Sequence, residues 1–389
     1  MDSKELTASR IQLFRDAANF KKTERIPHLS AAVTWKVFDA GHTLDQAMTN
    51  FDVMEKCVRH FLETYPVDAM LDIGIRNQFN VTEAFGPGGY YYYTEDVVGI
   101  KDHSHCTLDT LDEYLENPEK YIWEKVLPNK YGEEWNNKTI DVWKKVFKEY
   151  MNYTSFIFRM NGVMKEFGIP SMAPNNPMSG AIQFGIEELE ANLLGIKQLS
   201  IAMRRGPDKL ENFITKWDAE HIDPLVEKVL KGKGPNYKYC FDASVMMLAH
   251  NIMNQKQFER FYWPSLKKLL DAYAAKGMNV RVFCEGSIDR YLDYFKDFPK
   301  GTLTFHLEQD DPFKVREELP NVAIMGGMTT EMLANATPEE CVAHTKRLCD
   351  ELGKEGGFIF SENKMLSYRN DANSENMKAV CDFLSEYRL

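Results

Sequence analysis

Val280-Arg281-Val282-Phe283-Cys284-Glu285-Gly286 is an apolar run that ends on a carboxylate. Two later stretches have the same form, Leu303-Thr304-Phe305-His306 and Phe358-Ile359-Phe360-Ser361-Glu362. Each reads as a strand buried on both faces, as parallel sheets require. Each also places a polar group at its carboxyl end. In a β/α barrel, catalytic residues sit at that end of the strands. One His and two carboxylates meeting there would form an oxygen and nitrogen site suited to zinc with an open position. Glu285, His306 and Glu362 are therefore the candidate metal ligands. Glu308, on the same strand face as His306, is a rival third ligand. The three are too far apart in sequence to form a local motif. A single strand-end Glu is more often a helix cap or an ion-pair member.

Outward from these stretches, strands and helices alternate. Strand candidates are 28–35, 68–75, 169–174, 237–243, 279–285, 302–308, 322–327 and 358–362. Helical patterns follow most of them, at 45–64, 186–204, 208–231, 255–277, 287–298, 312–318, 337–355 and 373–387. Thr337-Pro338-Glu339-Glu340 is an N-cap followed by Pro in the first turn. Strands alternating with helices imply parallel pairing through crossovers. Eight such strands predict closure into an α/β (β/α)8 TIM barrel, with an amphipathic lead-in helix over 4–22. Residues 76–168 break the rhythm and read as an insertion of loops and helices over the barrel mouth. With no linker or internal repeat, residues 1–389 read as one domain.

The bulk properties fit that reading. The chain has 389 residues, a net charge of −11 and 44% hydrophobic residues. No basic face is visible, so nucleic acid is not an expected partner. No run of 18 apolar residues occurs, so no membrane span is expected. Met1-Asp2-Ser3-Lys4-Glu5 lacks the apolar core of a signal peptide. The seven Cys are scattered and odd in number, without CxxC spacing, which predicts a reducing, cytoplasmic setting.

Other residues carry candidate chemistry. Tyr237, Tyr239, Asp242, Ser244 and His250 cluster around one predicted strand. Asp242, at its predicted end, could orient a substrate or cap the next segment. Gly326-Gly327-Met328 could let a ligand approach the backbone, or could simply turn the chain. The paired His of Asp102-His103-Ser104-His105 read more readily as a solvated surface. Trp35, Phe79 and Tyr92 are candidates to sandwich an aromatic substrate, with Met328 beside them. The chain has no GxGxxG, GxxxxGKS or GxSxG motif. It also has no DxHxxG segment of the kind that holds a corrinoid.

A family resemblance rests on a series of segments in order. They are 255–264 (Gln-Lys-Gln-Phe-Glu-Arg-Phe-Tyr-Trp-Pro), Met325-Gly326-Gly327-Met328, Thr337-Pro338-Glu339-Glu340, Gly356-Gly357-Phe358-Ile359-Phe360 and Ser374-Glu375-Asn376. They resemble the uroporphyrinogen decarboxylase-like superfamily, in particular its zinc- and corrinoid-dependent methyltransferase branch. The resemblance runs from Arg25-Ile26-Pro27 onward and is strongest from Asp242 to the end. It implies a (β/α)8 barrel. Methanol and methylamine members of that branch carry His-x-Cys-Gly after the fifth strand and another Cys after the eighth. Here Phe283-Cys284-Glu285-Gly286 puts Glu285 where the Cys would stand and Phe283 where the His would be. Glu362 falls near the later Cys position. Carboxylates with His306 in place of thiolates look like the aryl-methyl-ether methyltransferases of anaerobic O-demethylase systems, the vanillate or veratrol type. The Arg-Gln-Ala-Gly signature of the decarboxylase itself is absent, its place being taken by Val33-Thr34-Trp35-Lys36.

What the resemblance implies is a methyltransferase that takes a methyl group from a phenyl methyl ether. The acceptor would be cobalamin carried by a separate corrinoid protein. A zinc held by harder ligands would activate the ether oxygen. Catalytic roles would fall on Glu285, His306 and Asp242. Other methyl donors of the same branch, another decarboxylation, or a binding barrel without catalysis are the alternatives.

Overall fold

A computed structural model describes residues 2–74, 79–86, 91–101, 103–174, 182 and 184–389. Seven strands form one all-parallel sheet: β1 (His28–Ser30), β2 (Ala69–Met70), β5 (Ala243–Met247), β6 (Val280–Cys284), β7 (Leu303–Leu307), β8 (Ala323–Met328) and β9 (Phe358–Glu362). Their order is β2-β1-β9-β8-β7-β6-β5, so the first strand lies beside the last, as in a barrel. β3 (Tyr91–Tyr93) and β4 (Val98–Ile100) form a separate antiparallel hairpin.

The expected 169–174 strand is not a regular strand among the described residues. Its backbone nevertheless flanks β5: Phe241 N donates to Met172 O at 2.8 Å, and Ile182 bridges Val245 in parallel. The result is a curled α/β sheet of TIM-barrel type, as the eight-strand rhythm predicts.

The four strands from β6 to β9 fall where the apolar runs predict. Their alternation assigns the layers. Val280, Val282, Cys284, Phe305, Phe358 and Phe360 pack into the large cluster shared with the surrounding helices. Arg281, Phe283, Thr304 and His306 have the opposite parity and face the barrel interior. The interior floor is apolar, with Leu29, Phe241, Met325 and Ile359 meeting Phe14 of the lead-in helix Ser3–Ala18.

Several elements differ from the sequence pattern. The first expected strand stops at Ser30, and Trp35–Asp39 is already helical. The pattern over 208–231 splits into Pro207–His221 and Asp223–Lys231, where Pro224 cannot donate into a continuing helix. The insertion folds as helices and the β3–β4 hairpin, ending in the long helix Ile140–Glu166. It reaches the loop that follows β9, where Arg369 pairs with Asp96 at 2.9 Å.

The expected 237–243 strand is displaced to Ala243–Met247. Tyr237, Tyr239 and Phe241 alternate as a strand would, but the Asp242 carboxylate folds the segment into a turn. It accepts from Asn236 N at 2.7 Å and Asn279 N at 2.9 Å, and pairs with buried Arg15 at 3.0 Å. Asp242 therefore stands before β5, at the amino end of the barrel, away from the mouth. The expectation of a catalytic Asp242 is corrected accordingly: position and partners give it a structural role.

Removing one member of a buried pair strands the other. Asp242→Ala is expected to lower unfolding stability by about 3 kcal/mol, read by denaturant titration.

Candidate active site

His306 is fully buried on the interior face of β7. Its Nε2 lies 2.9 Å from the backbone carbonyl of Glu362, and its Nδ1 lies 2.7 Å from an Arg281 guanidinium nitrogen. A guanidinium only donates and a carbonyl only accepts. The ring is therefore the neutral Nε2–H tautomer, with both nitrogens committed. Burial, and then the charge of Arg281, push His306 down to about 3. Arg281 also donates to Ser244 Oγ at 3.0 Å, and burial pushes it down to about 10.

Glu362 turns the other way. Alternation gives its side chain the parity of Phe358 and Phe360, on the helix-facing layer. Its carboxylate accepts from Ala31 N at 2.7 Å and Ser30 Oγ at 3.3 Å, with His28 Nε2 3.8 Å away. Its charge is felt by Cys381 on the last helix. His306 thus meets the carbonyl of Glu362, not the carboxylate. Glu285 follows β6 at the mouth and is exposed. Glu308, the rival ligand, accepts from Gly286 N at 2.5 Å. Among the described residues, no three of His, Cys, Asp and Glu gather closely enough to hold a metal. The set Glu285, His306 and Glu362 does not fit a zinc as it stands, because His306 has no free lone pair and Glu362 faces another layer.

The mouth between β5 and β6 holds a different acidic group, absent from the sequence reading. The helix that opens at Gly185–Glu188 continues through a π turn at Leu189–Leu194, and Glu187 and Glu190, three residues apart, share one face of it. π turns often mark functional sites. Glu187 is buried and accepts from Leu248 N at 2.9 Å and from Ala249 N at 3.2 Å, both just past the carboxyl end of β5. The Tyr262 hydroxyl also donates to it. Glu190 shares a side-chain hydrogen bond with Glu187, while its Oε2 is buried without a partner. Burial pushes Glu187 up to about 7, despite those donors, with Glu285 adding to the rise. Burial, then the charges of Glu187 and Glu285, push Glu190 up to about 8. Two carboxylates sharing a site hold one proton between them. Glu187 has the three donors that favour its anion, so Glu190 is the protonated partner. His250, also past β5, lies buried against Tyr262 and Tyr291 and is pushed down to about 4 by burial and then by Arg290.

The expected aromatic sandwich does not assemble. Trp35 is buried, donates Nε1 to Ala372 O at 2.9 Å and packs on Tyr65. Met328 is buried in the helix-facing core. Phe79 is buried against Tyr93. Tyr92, on β3, is the one of the four that is exposed. Gly326 and Gly327 have positive φ within β8. A Cβ on Gly326 would meet Leu307 O at 3.0 Å, so the close approach they permit is to a neighbouring strand. Asp102 lies outside the described residues.

Residues 189–387 match the uroporphyrinogen decarboxylase (URO-D) family. That is half of the chain, and the protein belongs to this family. Among solved structures it is similar to a methyltransferase from Methanosarcina mazei, with a TM-score of 0.57 at 15% identity over 98% of each chain. At that identity the likeness is one of fold. No curated protein matches the chain. No helix among the described residues is long and apolar enough to cross a membrane.

His306→Ala leaves Arg281 buried with one partner fewer. It should cost about 2–4 kcal/mol of stability while leaving zinc content, measured by elemental analysis, equal to that of the parent. Zinc bound by the parent and lost in the variant would restore His306 as a ligand. For Glu190, the folded value lies above its ordinary 4.5, so the folded state holds the proton longer. Stability then falls as pH rises from about 4.5 to about 8. Glu190→Gln should match the parent near pH ~4 and melt progressively higher above it, read by thermal scans across pH.

Proposed function

We propose that this chain is the methyltransferase component of an O-demethylase. It would move the methyl group of a phenyl methyl ether to the cobalamin of a separate corrinoid protein. Membership of the URO-D family supports the reading, as does the fold shared with a methyltransferase. The observation that carries it is the pair of carboxyl groups past the carboxyl end of β5, where Glu187 takes the donors, Glu190 Oε2 is buried without a partner, and burial pushes Glu190 upward.

An aryl methyl ether resists transfer because a phenolate must leave. As the methyl carbon passes to the acceptor, the carbon–oxygen bond breaks and its electron pair stays on oxygen. That oxygen needs either a Lewis acid or a proton. Zinc held by His306 and Glu362 does not fit, because His306 has both nitrogens engaged and Glu362 faces another layer, which leaves the proton. Glu190 can give its proton to the departing oxygen, and the product is a neutral phenol. General acids tuned near the working pH are effective donors. Glu187, fixed by Leu248, Ala249 and Tyr262, holds the Glu190 acid in place and keeps its proton on. Glu285 closes the same rim. Tyr92, exposed on the insertion hairpin, is the expected aromatic that remains open to a ring at the mouth.

The test is release of phenol and methylation of added cob(I)alamin, followed with a panel of aryl methyl ethers. Glu190→Gln is expected to lower kcat on the order of 10²-fold. The loss should shrink for ethers whose phenols are more acidic, since these need less help to leave. Equal loss across the panel would remove Glu190 as the acid. Release of carbon dioxide from a carboxylated substrate, with no methyl transfer, would favour a decarboxylase of the same family.

A further inference from the structure

Arg281, on the inward face of β6, is 1% exposed and carries a charge that no carboxylate balances among the described residues. Its guanidinium meets neutral groups: it donates to Ser244 Oγ at 3.0 Å and, through Nη2, to His306 Nδ1 at 2.7 Å. Burial pushes the thiol of the adjacent Cys284 well up, so that group is neutral too. Arg281 Nε is buried with no hydrogen-bond partner. Its N–H shares one edge of the guanidinium fork with Nη2 and so points to the His306 side. Ser361, inward on β9, is 0% exposed, and its Oγ is also buried without a partner. It precedes Glu362, whose carbonyl lies 2.9 Å from His306 Nε2. The two unpartnered donors therefore flank one imidazole, each on the side of a different ring nitrogen.

We infer that this layer of the barrel binds a small monovalent anion of halide size, with Arg281 Nε and Ser361 Oγ as its donors. The chemistry selects the class. Both groups short of a partner can donate, and the one formal charge is positive, so an anion answers both shortages at once. A water molecule accepts from both donors but leaves the charge unbalanced. The surroundings select the size. Phe283, toward the mouth, is 3% exposed; its ring stands edge-on to His306 at 5.2 Å and its centroid is 5.9 Å from the Arg281 guanidinium carbon. Met325 and Ile359 close the layer from the apolar floor. A carboxylated aromatic does not pass that roof, whereas a one-atom anion needs only side-chain motion. The site is separate from the Glu187–Glu190 pair and does not rest on the methyl transfer proposed above.

Thermal unfolding of the full chain in sodium chloride, sodium bromide and sodium gluconate at matched ionic strength tests the inference. The melting temperature is expected to climb with the logarithm of chloride or bromide concentration and to stay flat in gluconate. Arg281→Met replaces the cation by an apolar chain and should erase the difference between the salts. Ser361→Ala keeps the cation and removes one donor, so about tenfold more halide should be needed for the same rise. If Arg281→Met does not fold, Ser361→Ala carries the test alone. Equal melting of the parent in chloride and gluconate would overturn the inference. So would a halide effect that survives Arg281→Met, which places the ion on the surface, or a Ser361→Ala variant that responds as the parent does. Stabilisation by sodium benzoate but not by halide would assign Arg281 to a carboxylated ligand instead.

Discussion

Side chains alternate along a strand, and in this barrel that single constraint decides which groups can meet. Val282, Phe305 and Phe360 face the helices, so Arg281, His306 and Ser361 must face inward. Glu362 ends β9 on the helix-facing parity, one peptide unit from the interior. The interior therefore receives its carbonyl and the helix layer its carboxylate. The His306–carbonyl bond then fixes a tautomer, and that tautomer is what lets a buried guanidinium find an acceptor without any carboxylate nearby. These bonds tie β5, β6, β7 and β9 together below the mouth, while Arg281 Nε and Ser361 Oγ stay buried without a hydrogen-bond partner.

Much of the frame was legible in the sequence. β6 to β9 announce themselves because strands buried on both faces need unbroken apolar runs. The Thr337–Glu340 capping box and the Asn373 cap announce their helices because orphan amide groups need side-chain acceptors. Glu285, His306 and Glu362 do lie at or just past the carboxyl ends of β6, β7 and β9. What the linear pattern could not give was the face on which each group emerges once neighbouring strands fix the register. A shift of one residue exchanges interior for exterior. Glu362 and Met328 both end their strands, yet their side chains belong to the helix-facing layer.

The role of Asp242 and the Glu187–Glu190 pair are hidden from the sequence for different reasons. The Tyr237–Phe241 alternation imitates a strand, and only long-range partners, Arg15 and Asn279, reveal a turn instead. Asp242 then falls at the wrong end of the barrel for chemistry. Glu187, Glu188 and Glu190 look like ordinary surface carboxylates on an amphipathic helix. Their spacing puts Glu187 and Glu190 on one helix face, but nothing local signals that the chain after β5 covers that face. Burial of acidic residues is a tertiary property, and so is the pKa rise it causes.

The two ways to stabilise a departing phenolate place different demands on a barrel mouth. A zinc site needs several free lone pairs converging at one point, with second-shell partners that orient the ligands without occupying them. His306 fails that demand because both of its nitrogens are already engaged. A proton donor needs only one carboxyl group denied its counter-charges. The mouth supplies this directly: Glu187 takes the available backbone donors and the tyrosine hydroxyl, which leaves Glu190 beside an anion with one oxygen unpartnered. In a chain of net charge −11, holding that proton also removes one negative charge from the rim where an electron-rich methyl acceptor would approach. Once a proton leaves Glu190, two carboxylates face each other at the rim, and that repulsion favours taking a proton back from solvent.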